Sequence, residues 1–159
     1  MKTETKIQGR LPAELRASSL VLLKRLGFNA KQHSFEEYEK VGLSPYHYAI
    51  LALLDEGVPE TQAAIADSLG YDRGTLVGLL DELEEKGLVE RRRDPDDRRR
   101  QMVSLTPKGE QALTRLRTLA KEVDDAFLEP LTASERKTLR SLLARLAGHH
   151  DPRYSSPGG

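Results

Sequence analysis

Apolar residues recur every three or four positions along most of the chain, which is the spacing of amphipathic helices. A polar stretch at 1–10 is expected to be flexible, and a long helix is predicted from about Pro12, a residue suited to the first helical position. A break at 41–43 ends this first helical region, which we place at residues 11–43. Its apolar face is formed by Leu15, Leu22, Leu26, Phe35 and Tyr38.

Three shorter helices are predicted next. Ser44 and Pro45 together form a helix start, as N-cap and first helical residue, and this helix ends near Gly57. A second helix runs over 61–69 and is stopped by Gly70. After a turn at Tyr71, Asp72 can cap a third helix at roughly 73–86. The apolar stripe of this third helix consists of Leu76, Leu79, Leu80 and Leu83.

The spacing then changes from helical to alternating. Residues 87–90 and 102–105 alternate apolar and polar side chains, as two short antiparallel strands do, and Asp94–Asp97 has the composition of a turn. The pattern predicts a β-hairpin with two arginine triplets, 91–93 and 98–100, crowding its tip. Helix, turn, helix and hairpin is the order of a winged helix-turn-helix, predicted over 44–106. The alternative is a charged hairpin that is merely solvated.

The C-terminal part is again helical. Thr106-Pro107 repeats the cap-plus-proline start, and a capping box at 132–135 opens a last helix. We predict paired dimerisation helices over 107–148 and a disordered tail over 149–159. Together with the first helix they carry more leucine than one small lobe can cover, so subunit pairing is the simplest explanation, and a monomeric bundle is the alternative. The predicted fold class is mainly α with a small β-wing.

Composition narrows the function classes. Lysine plus arginine and aspartate plus glutamate number 25 each, so nucleic-acid binding has to come from local charge placement. The absence of cysteine removes disulfides, thiolate nucleophiles and thiol redox sensing. With neither a membrane-length apolar run nor a signal-peptide core, we expect a soluble, cytoplasmic protein.

Catalytic and metal-binding patterns are missing from the sequence. We find no activated nucleophile beside a base and no glycine-rich phosphate loop, so an enzyme is not expected, nor is a cofactor. His33, Glu36 and Glu37 could supply some ligands for zinc, but their spacing is not that of a zinc site. The adjacent His149 and His150 lie in a tail without a defined site, so no metal is predicted.

The face of helix 73–86 opposite its leucines is small and mostly uncharged. Gly74 and Gly78 lie there, and each costs about 1 kcal/mol relative to alanine inside a helix. Close approach to a DNA groove would explain them, with Arg73, Thr75 and Val77 contacting bases or phosphate. The alternative is a packing helix whose glycines accommodate a crossing neighbour.

The acidic residues in the second half of this helix would repel phosphate and must point away from DNA. Residues 61–105 hold ten acidic and eight basic residues, so positive charge is concentrated in the wing. The wing arginines expected to contact DNA are Arg98, Arg99 and Arg100.

Residues 43–106 resemble the multiple-antibiotic-resistance regulator (MarR) family. The matching stretches are Leu43-Ser44-Pro45, Thr61 to Leu69, Asp72-Arg73-Gly74-Thr75-Leu76, Leu79 to Arg91, Asp94 to Arg99 and Val103 to Thr106. The resemblance implies a homodimer whose first and last helices interlock. The recognition helices would occupy successive major grooves, and Arg99 would enter the minor groove from a wing element that includes Asp97. Asp72 matches a position that can pair with the wing arginine.

The resemblance also implies a repressor that releases DNA on binding a small aromatic or phenolic ligand between the dimerisation helices and the DNA lobe. Candidate ligand residues are His33, Tyr38, Tyr46, His47 and Tyr48. The alternative is ordinary core packing of these side chains. A winged-helix module for protein contacts, without specific DNA binding, is the alternative function.

Two departures from the family pattern change the expectations. Many relatives carry an arginine where this chain has Gly78, so base contacts would depend more on Arg73, Thr75 and Val77. The Asp-x-Gly-Thr-Leu start of the helix resembles the hydroperoxide-sensing branch, which needs a reactive cysteine that this chain lacks. Thiol-based peroxide sensing is therefore excluded.

Overall fold

The structure, a computed structural model, describes residues 9–57 and 60–155. Its helices are α1 (Ala13–Arg16), α2 (Ser19–Glu39), α3 (Pro45–Asp55), α4 (Gln62–Leu69), α5 (Arg73–Glu85), α6 (Pro107–Phe127) and α7 (Ala133–His150). The strands are β1 (Glu60–Thr61), β2 (Val89–Arg93) and β3 (Gln101–Leu105), and Pro152–Tyr154 form a short 3-10 turn. The predicted class, mainly α with a small β-wing, is confirmed.

At five of the helix starts predicted from the sequence, a side-chain oxygen accepts a hydrogen bond from a backbone N–H three residues later, which satisfies a donor that the helix leaves free. The capping residues are Ser44, Thr61, Asp72, Thr106 and Thr132. At the other end of α4, Gly70 adopts φ +68°, the left-handed conformation that glycine tolerates best. The helix starts predicted at these positions are confirmed.

The sheet has three strands in the order β1-β3-β2, all antiparallel. Val89 pairs with Leu105 and Arg93 with Gln101, so the first arginine triplet lies inside β2. The prediction that both triplets crowd the tip of the hairpin is wrong for residues 91–93. Strand β1, which pairs Thr61 with Met102, was not predicted.

The core lies in the helix-turn-helix lobe. Its fully buried side chains come from α3, α4, α5, β2 and α6, and the largest are Ile50, Leu51, Ile65, Leu76, Leu80, Leu83, Val89 and Leu113. Helix α6 approaches the base of the wing so closely that a Cβ at Gly109 would collide with the carbonyl oxygen of Leu88. Thr106 donates a hydrogen bond to the Gly87 carbonyl at 2.6 Å. These contacts fix the wing to the start of α6.

The two ends of the chain differ from the sequence prediction. The single N-terminal helix is divided at residues 17–18, because the Ser18 side chain caps a new helix by accepting from the Val21 N–H at 3.3 Å. At the other end, His149 and His150 lie in α7, and Asp151 caps the 3-10 turn. The predicted disorder from 149 onward is therefore wrong for residues 149–155. Residues 1–8 and 156–159 lie outside the described residues.

The terminal helices have little of this chain to pack against. Helices α1 and α7 contain no buried residue, and Tyr38 is the buried residue of α2. Large apolar side chains on them are exposed: Leu15, Leu20, Leu22, Leu23, Leu26, Phe28, Leu142, Leu143 and Leu146. Within residues 9–57 and 60–155, no helix is both long enough and apolar enough to cross a membrane.

Candidate nucleic-acid interface

The start of α5 is organised by its N-cap. The Asp72 carboxylate accepts the Thr75 backbone N–H at 2.9 Å and also the Thr75 hydroxyl. These hydrogen bonds lower the pKa of Asp72, so the carboxylate is charged where the positive end of the helix dipole favours it. The family resemblance implied that Asp72 can pair with the wing arginine; in the structure its hydrogen-bond partner is Thr75. Asp72 therefore orders the helix start.

The two glycines of α5 face open space. A Cβ built on Gly78 would meet no atom of the described chain within 4 Å, and one on Gly74 would meet only the Asp72 Oδ1 at 3.3 Å. The glycines therefore do not make room for a neighbouring helix of this chain. Arg73, Thr75 and Val77 are exposed on the same half of the helix. The result is a low, solvent-facing surface that a large partner could approach closely.

The tip of the wing is held by its own aspartates. The Asp94 carboxylate accepts the Asp96 N–H at 2.9 Å, and the Asp97 carboxylate accepts the Arg99 N–H at 3.1 Å. Asp97 also accepts from the Arg99 guanidinium at 3.1 Å, which lowers the pKa of Asp97. The Arg99 side chain remains 91% exposed. The loop thus presents this guanidinium to solvent from a fixed backbone.

One cleft joins α5 to the wing. It has a volume of about 300 Å³, and Arg73, Arg99 and Arg100 line it together with the start of α4. Arg98 is exposed on the same loop but does not line the cleft. Three arginines from two different elements therefore line one cleft, an arrangement suited to a polyanion.

Arg91 is a functional candidate that sequence reasoning missed, because it was grouped with the hairpin tip. Its guanidinium lies 2.5 Å from Asp81 and 3.2 Å from Glu84, both on α5. Its backbone N–H also donates to Glu84 at 3.2 Å. The contact lowers the pKa of Glu84 and raises that of Arg91. The spacing of Asp81 and Glu84 on one helix face was the signal in the sequence.

The predicted ligand residues do not form one site. His33 and Tyr38 line a groove of about 340 Å³ between α2, the start of α3 and α6, beside Lys31, Asp124 and Phe127. The His33 ring centroid lies 6.1 Å from that of Phe127. His33 Nε2 is buried and has no hydrogen-bond partner within the described part of the chain.

The tyrosines of the cluster occupy different surroundings. Burial raises the pKa of Tyr38 to about 12, and its ring packs 6.0 Å from Tyr48. Tyr46 lies instead between Phe35 and Tyr71, at centroid distances of 5.2 and 5.3 Å. It lines a separate hollow of about 370 Å³ with the turn between α4 and α5. The prediction of one site for all five residues is therefore wrong for Tyr46, and Tyr48 does not line the groove.

His47 faces α5. It is 5% exposed, its Nδ1 lies 3.0 Å from the Ser44 N–H donor, and its Nε2 lies 2.7 Å from Glu82 Oε2. Nδ1 is thus hydrogen-bonded, whereas Nε2 is buried and, although close to Glu82, forms no hydrogen bond within the described part of the chain. His47 does not line the groove of His33 and Tyr38. Across residues 9–57 and 60–155, no three His, Asp or Glu side chains group closely enough to hold a metal ion.

Comparison with known proteins shows that this chain is similar to several transcriptional regulators. The transcriptional repressor CouR bound to a 23-mer DNA duplex is 35% identical, with a TM-score of 0.78 over 87% of this chain and 99% of that one. CouR from Rhodococcus jostii RHA1 bound to p-coumaroyl-CoA aligns at 28% identity with a TM-score of 0.69, over 86% and 96% of the two chains.

Two further relatives are regulators. A probable transcriptional regulator from Pseudomonas aeruginosa is 34% identical, with a TM-score of 0.73 over 83% of this chain and 98% of that one. The putative transcriptional regulatory protein for the hcr operon of Thauera aromatica is 38% identical over 105 residues, 66% of this chain. That alignment spans 63% of the Thauera protein, less than two thirds of its length.

The sequence model of the MarR family matches residues 41–100, which include α3, the helix-turn-helix and most of the wing. The identity to CouR extends over nearly the whole of both chains, through the terminal helices as well as the lobe. The resemblance inferred from the motifs is confirmed, and the chain belongs to the MarR family of transcriptional regulators.

Proposed function

We propose that two copies of this chain bind a pseudo-palindromic DNA operator and act as a repressor. The observation that carries the proposal is the convergence of Arg73, Arg99 and Arg100 on one cleft, beside the open face of α5. Helix α5 would enter the major groove, which is about 12 Å wide and admits an α-helix. The wing would follow the adjacent minor groove, where closely spaced phosphates attract guanidinium groups.

The small side chains on α5 support close approach to DNA. Gly74 and Gly78 leave the helix surface open, so its backbone can come near the groove wall. Arg73 at the first turn is the candidate for guanine or phosphate, and Val77 can contact a thymine methyl. The Thr75 hydroxyl is bound to Asp72, so Thr75 would contribute its methyl group or act through that carboxylate.

The acidic half of α5 is partly compensated by the protein, because one arginine faces two of its four carboxylates. Arg91 pairs with Asp81 and Glu84, and Glu82 is directed to His47. Positive charge remains exposed on Arg98, Arg99 and Arg100 in the loop of the wing. The separation of charge within the lobe supports binding despite a net charge of zero over the whole chain.

A second copy is the partner that fits the exposed leucines. Isolated helices are marginal in water, and an 18-residue α7 without a buried residue needs something to cover its apolar face. The exposed leucines of α2 belong to the other long terminal helix, so both ends of the chain offer apolar faces. The DNA bound by CouR is 23 bp, about two helical turns, the length that two half-sites of a dimer require.

The groove beside His33 is our candidate for an effector site. Its lining combines apolar surface from Phe127 and Val123 with the polar groups of His33, Lys31 and Tyr38. This mixture suits an aromatic ring that carries an acid or a thioester, and CouR has been crystallised with p-coumaroyl-CoA. A ligand there could release DNA by changing the separation of the two lobes, if it binds one arrangement more tightly than the other.

We further infer that the protein has no catalytic activity of its own and that it acts in the cytoplasm, where it meets its operator. The relatives reported above are transcriptional regulators, which agrees with this inference.

The proposal can be tested by fluorescence anisotropy across a salt series. The two labelled duplexes are the DNA upstream of this protein's own gene and a scrambled control. We expect tight binding to the upstream fragment alone, weakening steeply as salt rises. Arg99→Ala should weaken that binding while the protein stays folded and dimeric. Equal, weak binding of both duplexes by the wild-type protein would contradict the proposal and favour a protein-interaction module.

A further inference from the structure

We propose that Arg153 is a positioning residue for α5: its guanidinium packs on the backbone of Gly70, in the turn between α4 and α5, and ties that turn to the end of α7. The contact anchors the helix that faces DNA to a helix that carries exposed leucines. The proposal rests on the proposed DNA-binding function for its effect on operator affinity, whereas the contact itself lies within one chain.

Gly70 leaves free the space that the guanidinium occupies. A Cβ built on Gly70 would overlap Nη1 of Arg153 and would lie 2.6 Å from its Cζ. Gly70 also ends α4 with a φ of +68°, a conformation that glycine adopts without strain. The absence of a side chain therefore serves two purposes here: it permits the left-handed turn, and it lets a charged residue from the end of the chain lie directly on that turn.

The residues after α7 hold the guanidinium in place. The Asp151 carboxylate accepts hydrogen bonds from Arg153 Nε at 2.9 Å, from Nη2 at 2.5 Å and from the Arg153 backbone N–H at 3.0 Å. The Asp151 N–H in turn donates to the Ala147 carbonyl of α7 at 2.8 Å. The Ser155 hydroxyl donates to the Gly148 carbonyl at 3.2 Å. The segment is thus folded back on the end of α7, and the two-pronged contact with Asp151 fixes the plane of the guanidinium.

Two further features favour this position of the segment. The last turn of α4 contains no basic residue, so the guanidinium supplies positive charge at the carbonyl end of that helix, although Asp151 compensates part of it. Burial raises the pKa of Tyr71, and the phenols of Tyr46 and Tyr154 act in the same direction, which shows that Tyr154 lies beside the turn. Charge and aromatic contact therefore meet the same short stretch of chain.

The turn carries the N-cap of α5. Asp72 follows Gly70 by two residues, and its carboxylate caps the helix. The turn also borders the hollow of about 370 Å³ beside Tyr46, so part of its surface is not packed against other side chains. Arg153 does not line that hollow and restrains the turn from outside it. Without the guanidinium, the cap and the first residues of α5, Arg73 among them, should move more freely.

Two variants break the contact, and each has a matched control. Arg153→Ala removes the guanidinium, whereas Gly70→Ala excludes it without changing the charge of the protein. Gly42→Ala is the control for Gly70→Ala, because Gly42 has a similar φ of +74° and a Cβ there would lie 3.6 Å from its nearest neighbour, an ordinary contact. Arg145→Ala is the control for Arg153→Ala, because Arg145 is an exposed arginine of α7.

Hydrogen exchange of the full-length protein needs no DNA. The amides of Tyr71, Thr75 and Leu76 report on the turn, because each donates a hydrogen bond there. They should exchange about three- to tenfold faster in Arg153→Ala and in Gly70→Ala than in the wild type, and at the wild-type rate in both controls. The double variant should resemble Gly70→Ala, since both substitutions remove one contact. Unchanged exchange in Arg153→Ala, or additive effects in the double variant, would overturn the proposal.

Operator affinity is the second readout. Arg153→Ala and Gly70→Ala should each bind about three- to tenfold more weakly than the wild type, with an unchanged slope of log K against log salt. Arg153→Lys should not restore the affinity, because lysine keeps the charge but not the planar fork. A slope lowered by about one in Arg153→Ala alone would make Arg153 a phosphate contact and contradict a positioning role. If the wild-type protein shows no sequence preference, the DNA-binding proposal fails, and the exchange rates still decide the role of Arg153.

Discussion

Arg91 on strand β2 contacts Asp81 of the recognition helix at 2.5 Å, joining the wing to the helix half that carries most of its acidic side chains. We predict that Arg91→Ala weakens operator binding about tenfold, because it exposes two carboxylates to phosphate and releases the wing from α5. The dissociation constant from anisotropy measures the effect.

The neighbouring Arg92 is the matched control for Arg91. It is 80% exposed and, among the described residues, its ion-pair partner is Glu90 of its own strand, so Arg92→Ala removes the same charge without the link to α5. Arg91→Lys tests the geometry, since a lysine cannot bridge two carboxylates as a guanidinium does. Equal losses for Arg91→Ala and Arg92→Ala would mean that overall charge, rather than the link, determines affinity.

Arg73→Ala should reduce discrimination between operator and scrambled DNA more than it changes the salt dependence. The reason is that Arg73 lies at the first turn of α5, where a side chain reaches base edges, whereas Arg99 lies on the wing. Arg99→Ala should instead lower the slope of log K against log salt by about one. An effect of Arg73→Ala on the slope alone would make it a phosphate contact.

Leu143→Glu should convert the dimer to a monomer at concentrations where the wild type is dimeric. Leu143 is 39% exposed on a helix that contains no buried residue, and a carboxylate placed in an apolar interface would be desolvated without a partner. Analytical ultracentrifugation gives the mass. Lys137→Glu, an exposed polar position on the same helix, is the control. A wild-type monomer would show that this face has another partner.

Phe127→Ala and His33→Ala should each weaken effector binding without reducing DNA affinity. Both side chains line the groove between α2 and α6, and neither belongs to the arginine cleft. The probes are aromatic carboxylic acids and their coenzyme A thioesters, added to a preformed protein–operator complex. Tyr46→Phe, in the separate hollow beside Tyr71, serves as the control. If the ligands still release the operator from both variants, the effector binds outside this groove.

The pH dependence of stability should differ between the wild type and His47→Gln. Because burial lowers the pKa of His47, the unfolded chain binds more protons below its ordinary pKa, 6.5, than the folded chain does. The stability that depends on the neutral ring is complete above 6.5 and is lost as pH falls toward the folded pKa. Urea unfolding at pH 7.5 and 5.5 should show a larger loss for the wild type. Identical losses would mean that His47 is not held neutral.

Local signals predicted the helix starts well. Ser44, Asp72 and Thr132 cap their helices as expected, because a cap requires only residues three positions apart. The same holds for the turn chemistry of Asp94 and Asp97. Almost all helices and strands of the lobe could therefore be predicted from the sequence.

Contacts between residues far apart in the chain could not be predicted from the sequence. Strand β1 exists only through pairing with β3, and a two-residue strand carries no periodicity of its own. The sequence predicts one cluster that includes Tyr46, His47 and Tyr48, but successive helical residues point about 100° apart. They therefore meet Tyr71, Glu82 and Tyr38 respectively, in three separate surroundings.

The central position of β3 in the sheet has a consequence for operator architecture. Strand β3 is hydrogen-bonded both to β2 of the wing and to β1, which directly precedes α4. A tilt of the wing would therefore move α4 as well. Each lobe would then bind DNA as a rigid unit, with a constant distance between α5 and the wing. We therefore expect that inserting base pairs within a half-site abolishes binding. Tolerance to a changed spacing between half-sites depends instead on how the dimer joins its two lobes.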